Sequence, residues 1–129
     1  MEDASCPLAP VSWGELLDKI TILEIKKERI GDPAALRNVA REHDHLCDIG
    51  APVEGQPDIA PLMDRLREVN RLLWDIEDQI RMKEAAADFG PEFVQLARSV
   101  YKTNDIRAAV KRQINSVLNS AIVEEKSYA

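Results

Sequence analysis

Aromatic residues, cysteines and long apolar runs are all scarce in this 129-residue sequence. Aromatic side chains make up only 5% of the chain, so a core must be built mainly from Leu, Ile, Val and Ala. The two cysteines, Cys6 and Cys47, have no metal-type spacing, and we expect no disulfide framework. No apolar run approaches the roughly 20 residues that span a bilayer, and the N-terminus lacks the basic start and apolar centre of a signal peptide. These absences predict a cytoplasmic protein without a membrane-spanning segment.

The residues that are abundant suit one folded domain. Hydrophobic residues account for 45% of the chain and charged residues for 31%, a balance typical of thin helices with much solvated surface. The net charge of −6 is unevenly distributed. Residues 1–92 have 11 Lys and Arg against 20 Asp and Glu, whereas residues 93–129 have 6 against 3. Because an acidic chain lacks the clustered basic footprint that nucleic acid requires, we expect no nucleic-acid partner.

Start and stop signals divide the chain into helices. Residues 1–11 are predicted to form a flexible arm, and Ser12 with Glu15 forms a capping box for a first helix that ends near residue 30. Asp32-Pro33 is the start signal of a second helix, with Asp at the cap and Pro in the first helical position. Two Gly and two Pro at 50–58 predict a loop that ends this helix near residue 48.

Apolar periodicity predicts the helices in the remainder of the chain. Apolar residues at three-four spacing predict a long helix over about 60–87, and residues 92–120 form either one bent helix or two helices. No period-two run indicates a strand. We therefore predict an all-α fold, an antiparallel helical bundle of four to five helices, in which residues 12–129 form a single domain.

The first helix carries apolar residues on two opposite sides. At about 100° per residue, Leu16 and Ile20 share one face, whereas Ile22 and Ile25 point nearly the other way, on either side of Asp18. A helix that is apolar on two sides is normally covered on two sides. A buried carboxylate is costly unless it is paired, so we expect Asp18 to meet an Arg, Lys or Asn from another helix.

The C-terminal segment is also two-sided. Its predicted core side consists of Ile106, Val110, Ile114, Val117 and Ala121. A polar stripe on the opposite side contains three asparagines, which are mediocre helix formers and therefore suggest hydrogen bonding within the bundle or to a ligand. The stripe comprises Asn104, Ala108, Lys111, Asn115 and Asn119, with Arg112 at its edge.

Two blocks of the sequence resemble the signature blocks of a bacterial family of uncharacterised function. They are S-W-G-E-L-L-D-K-I-T-I-L-E-I-K at 12–26 and L-A-R-S-V-Y-K-T-N-D-I-R-A-A-V-K-R-Q-I-N at 96–115. The closing V-E-E-K-S-Y at 123–128 is similar to the usual end of that family. The resemblance implies a small helical cytoplasmic protein and carries no assigned reaction. It draws attention to the polar members of the two blocks, which are Glu15, Asp18, Lys19, Asn104, Asp105, Arg107, Lys111 and Arg112.

Three other groups of residues could form part of an active site, although ordinary structural roles also explain them. His43 and Cys47 are four residues apart and could form a nucleophile–base pair, but no third group orients them. Glu15 with Asp18 distantly resembles half of the Mg²⁺ site of all-α nucleotide pyrophosphatases, yet interleaved Lys and Arg explain such acids as ion pairs. A chorismate-type mutase would need cations that clamp a dicarboxylate, and the candidates are Arg29, Arg107, Lys111 and Arg112.

We therefore predict a non-enzymatic interaction or oligomerisation module, a homodimer with no cofactor, no metal site and no catalytic residues. Its working surface would be a polar seam between the first helix and the C-terminal segment. The predicted seam consists of Glu15, Asp18, Lys19, Arg29, Asn104, Asp105, Arg107, Lys111, Arg112 and Asn115. The alternative is a small-molecule binder or a helical-bundle enzyme, such as a mutase or an Mg²⁺-dependent nucleotide pyrophosphatase, that uses the seam for an anionic ligand.

Overall fold

The computed structural model describes residues 6–119 and contains four α-helices in that range. They are α1 (Trp13–Arg29), α2 (Pro33–Glu54), α3 (Ala60–Ala85) and α4 (Pro91–Leu118). No strand occurs between residues 6 and 119, so the predicted all-α bundle is confirmed. None of the four helices combines the length and apolar character needed to cross a bilayer. Residues 1–5 of the predicted arm, Ala121 and the closing motif lie outside the described residues.

The first two helices begin where their capping residues predict. The Ser12 side chain accepts a hydrogen bond from the Glu15 amide at 3.1 Å, which satisfies one of the open amides at the start of α1. Asp32 accepts one from the Ala35 amide at 2.9 Å, and Pro33 follows it as the first residue of α2. Local sequence signals are therefore sufficient to position both helix starts.

α2 continues beyond its predicted end, so the loop predicted at 50–58 is shorter than expected. The helix runs through Gly50 and Pro52 to Glu54. Gly50 is buried against α1, where an added Cβ would lie 2.8 Å from Ile20 Cδ1, so its small size allows close packing rather than a helix stop. Val53 is buried in the core, and its apolar burial offsets the hydrogen bond that Pro52 cannot donate.

Residues 91–118 form a single helix, which decides between the one-helix and two-helix alternatives. Thr103, at the possible break, is buried in the middle of α4. The Asn104 side chain accepts a hydrogen bond from Arg107 Nη1 at 3.4 Å instead of capping a new helix. The helix ends at Asn119, which adopts the left-handed conformation with φ of 52°.

α1 lies at the centre of the bundle and contacts the other three helices, as predicted from its two apolar sides. Leu17 and Ile20 are fully buried on one side, and Ile25 is buried on the other, where Ile22 is partly covered. An apolar cluster of buried residues joins the start of α1 to the end of α2, the start of α3 and the second half of α4. It contains Leu16, Leu17, Ile20, Val53, Ile59, Met63, Leu66, Val110 and Ile114.

The predicted core side of the C-terminal segment is partly wrong. Val110 and Ile114 are buried, but Ile106 and Val117 remain 42% and 39% exposed. Asn115, assigned to the opposite stripe, is buried instead. The reason is that α4 packs against both α3 and α1, so its buried face extends from the apolar residues into the polar stripe.

Candidate functional site

A buried ion pair connects α1 to α4. Asp18 is only 1% exposed, and the guanidinium of Arg107 donates from Nε to both carboxylate oxygens at 3.0 and 3.1 Å and from Nη2 to Oδ2. Such a bidentate contact is among the strongest that a protein forms. The prediction that Asp18 is buried and meets an Arg, Lys or Asn from another helix is confirmed.

α3 contributes Asn70 to the same pair, a residue that the sequence analysis did not select. Asn70 Nδ2 donates to Asp18 Oδ1 and to Thr21 Oγ1, both at 2.8 Å. The Thr21 hydroxyl donates in turn to the Asp18 backbone carbonyl at 2.7 Å. The sequence does contain a signal for this residue. Asn70 is a polar residue that interrupts the apolar face of α3 between Leu66 and Leu73.

A second set of contacts joins the start of α1 to the end of α4. Lys111 Nζ lies 2.6 Å from Glu15 Oε2, and the Gly14 amide donates to Asn115 Oδ1 at 2.7 Å. The helices approach so closely that a Cβ at Gly14 would lie 2.5 Å from the Lys111 carbonyl oxygen. We call the residues joined by these two sets of contacts the polar network. It comprises Gly14, Glu15, Asp18, Thr21, Asn70, Asn104, Arg107, Lys111 and Asn115.

The other members of the predicted seam lie elsewhere. Lys19 pairs with Glu42 of α2 at 3.0 Å, on the exposed surface. Arg29 pairs with Asp75 of α3 at 2.5 Å, and its guanidinium lies 5.9 Å from the centre of the Trp74 ring. The remaining two, Asp105 and Arg112, are exposed on α4.

An open cleft of about 250 Å³ lies beside the polar network, between α1, α3 and α4. Its apolar lining consists of Ile22, Ile25, Leu73 and Trp74, and its polar lining of Asn70, Glu77, Asn104 and Arg107. Arg107 of the buried Asp18–Arg107 pair lines this cleft, and its side chain is 27% exposed. Apolar walls with a few convergent polar groups are typical of small-molecule sites.

The His43–Cys47 pair is formed but lacks the properties of a nucleophile. Cys47 Sγ lies 3.4 Å from His43 Nε2, and His43 Nδ1 lies 3.5 Å from Lys27 Nζ. Burial is the main cause that raises the pKa of the Cys47 thiol, and the negative charge of Glu54 is the next, so the reactive thiolate is disfavoured.

Within residues 6–119, no group of three His, Cys, Asp or Glu side chains is placed to hold a metal ion.

A family model described as a family of unknown function (DUF6165) matches residues 9–129. The chain belongs to the DUF6165 family. The predicted membership of a family of uncharacterised function is therefore confirmed, while its bacterial origin stays a prediction. The polar network and the cleft both lie inside the DUF6165 region. Neither a curated protein nor a solved structure matches the chain significantly.

Proposed function

We propose that this DUF6165 protein is a helical self-assembly module that forms a symmetric homodimer through the outer face of its α3–α4 hairpin. The outer face is the side of the hairpin that points away from α1. An uncharged stripe along α4 on this face supports this function. The expected setting is the bacterial cytoplasm, as the sequence arguments indicate.

The polar network itself is poorly suited to bind another protein. Asp18 is buried and neutralised by Arg107, and Glu15 is neutralised by Lys111, so these charges are satisfied within the chain. The buried members of the network, Asp18, Thr21 and Asn115, could reach a partner only if α1 left the hairpin. The network therefore supports assembly indirectly, because it holds α1 on one side of α3 and α4 and leaves the other side available.

The uncharged stripe follows the three-four spacing of α4 for most of its length. It consists of Gln95, Ser99, Ile106, Gln113 and Val117, which we call the outer stripe and which lie beside the buried residues Thr103 and Val110. In a chain with 31% charged residues, a helix face without one charge is typical of the centre of an interface, where charged residues are depleted. On the neighbouring helix, Leu72 is 50% exposed and adds an apolar side chain to the same face.

The charges that flank the outer face favour a second copy of this chain as the partner. The outer flank of α3 carries Glu68, which also pairs with Arg65 of the same helix at 3.5 Å, and that of α4 carries a net positive charge, with Arg98, Lys102 and Arg112 around Asp105. The three basic residues make no ion pair with any residue between 6 and 119. In a dimer with its two-fold axis along the helices, α3 of one protomer lies over α4 of its partner, so opposite charges meet on both edges.

Light scattering on the full chain at micromolar concentration tests the proposal. We expect about twice the 14.5 kDa chain mass. Ile106→Glu should give the monomer mass with unchanged helical content, because it introduces a charge at the centre of the interface. Tyr101→Glu is the matched control, since Tyr101 is exposed on α4 away from the outer stripe. A monomeric wild type, or equal dissociation by both variants, would contradict the proposal.

The alternative of an anionic ligand in the seam receives less support from the geometry. Arg107 is the only cation among the residues that line the cleft, and its charge is already balanced by Asp18. Lys111 is likewise engaged with Glu15. Binding an anion there would leave a buried carboxylate without its partner, which is costly.

A further inference from the structure

Asn70 presents a hydrogen-bond acceptor to the cleft. Its orientation is fixed, because the Asp18 carboxylate can only accept and therefore requires the amide Nδ2 to face it. Nδ2 also donates to Thr21, whereas Asn70 Oδ1 has no hydrogen bond with any residue between 6 and 119. Asn70 is 5% exposed, and in the same range no fully enclosed side-chain oxygen or nitrogen lacks a partner. Oδ1 must therefore reach solvent, and the opening that Asn70 lines is the cleft.

The net charge of the cleft is negative. Arg107 and Asp18 balance each other, and the Arg107 guanidinium is further occupied by Asn104. Glu77 is the remaining charged residue of the lining, is exposed to solvent, and forms no ion pair inside the described range. A bound molecule would thus meet two open acceptors, Asn70 Oδ1 and the Glu77 carboxylate, and these groups favour a cationic hydrogen-bond donor.

The apolar lining defines the remainder of the ligand. Ile22, Leu73 and Trp74 form the walls, and Arg29 lies over the Trp74 ring. The volume of about 250 Å³ is below the roughly 300–1,000 Å³ of pockets for drug-sized molecules. The ligand must therefore be small, with a short apolar part.

We propose that the cleft binds a small alkylammonium ion, the protonated form of a primary amine with a short carbon chain. Its N–H groups donate to Asn70 Oδ1 and to the Glu77 carboxylate, and its carbon chain lies against Ile22 and Trp74. The site is independent of the proposed homodimer, because the cleft is on the α1 side of the hairpin and the outer stripe is on the opposite side.

Nuclear magnetic resonance on the ¹⁵N-labelled full chain tests this inference. The probes are pentylammonium chloride, pentanol and sodium pentanoate, which share a carbon chain and differ in charge, and ionic strength is kept constant with salt. The indole N–H of Trp74 reports on the cleft, and that of Trp13 serves as the reference, with the two signals distinguished by Trp13→Phe. We expect a saturable shift of the Trp74 signal with pentylammonium only.

Two variants on α3 distinguish binding in the cleft from the general attraction of a cation to an acidic protein. Glu77→Gln should weaken pentylammonium binding by at least about tenfold, since a charge-assisted hydrogen bond is lost. Glu84→Gln, also exposed on α3, should leave the affinity unchanged. The inference is overturned if both variants weaken binding equally, if pentanol shifts Trp74 as strongly, if pentanoate binds more tightly, or if no probe gives a saturable shift.

Discussion

Removing the Asp18 carboxylate is the most direct test of what holds the bundle together. In Asp18→Ala, Arg107 loses its bidentate acceptor and Asn70 loses one of its two hydrogen bonds. Thr21 retains its bonds to the backbone and to Asn70. The variant therefore removes the charge that balances Arg107 and one of the acceptors of Asn70 at the point where α1, α3 and α4 meet, while Arg107 keeps its hydrogen bond to Asn104 and Asn70 keeps its bond to Thr21.

The size of the effect depends on how well Arg107 can be hydrated. Breaking a buried ion pair by removing one partner costs roughly 3–5 kcal/mol, mostly because the other charge stays uncompensated. The Arg107 side chain is 27% exposed and faces the cleft, so water partly replaces the carboxylate. We therefore expect the lower end, about 3 kcal/mol, which corresponds to a fall in Tm of about 10 °C for a chain of this length.

Urea unfolding followed by circular dichroism measures this loss. Lys19→Ala is the control on the same helix, because both Lys19 and Glu42 are about half exposed and such pairs contribute less than about 1 kcal/mol. Asp18→Ala combined with Arg107→Ala should cost less than the sum of the two single variants. If Asp18→Ala and Lys19→Ala unfold at the same urea concentration, the Asp18–Arg107 ion pair does not stabilise the fold.

Two further predictions concern close packing and thiol reactivity. Gly14→Ala should lower the free energy of unfolding by about 1–3 kcal/mol in urea titrations, because its Cβ would collide with the Lys111 carbonyl oxygen, whereas Gly31→Ala, with open space around it, should be nearly neutral. In a colorimetric thiol assay near pH 8, Cys47 should react more slowly than the exposed Cys6, because its raised pKa leaves less thiolate at that pH. Equal rates in the folded protein would contradict that prediction, and unfolding in urea should remove any difference.

Helix starts were predictable because their causes are local. Ser12 and Asp32 cap α1 and α2 with side-chain hydrogen bonds to amides three residues away, so a short stretch of sequence contains the whole interaction. The burial of Asp18 was predictable for a related reason. Ile25 on the same side of α1 had to be covered, and a carboxylate beside it then needed a cation.

Gly50 and Ile106 show where local reasoning failed. Glycine commonly ends a helix, yet Gly50 is an interior position where α2 needs a small residue to approach Ile20 of α1. Ile106 is apolar at core spacing, yet it points away from α1 and stays 42% exposed. In both cases the burial of the residue depends on which other helix packs against it, and the residues next to it in the sequence do not indicate which helix that is.

Local sequence patterns establish that this chain is helical, where its first two helices begin, and that an acid on α1 needs a cation from another helix. The packing of the helices selects Arg107 as that cation, brings Asn70 of α3 to the same carboxylate and opens a cleft beside them. These two kinds of outcome depend on contacts of very different range. Caps and periodicity act over three or four residues, whereas the contacts of Asp18 span 52 residues to Asn70 and 89 to Arg107, and depend on how the helices pack.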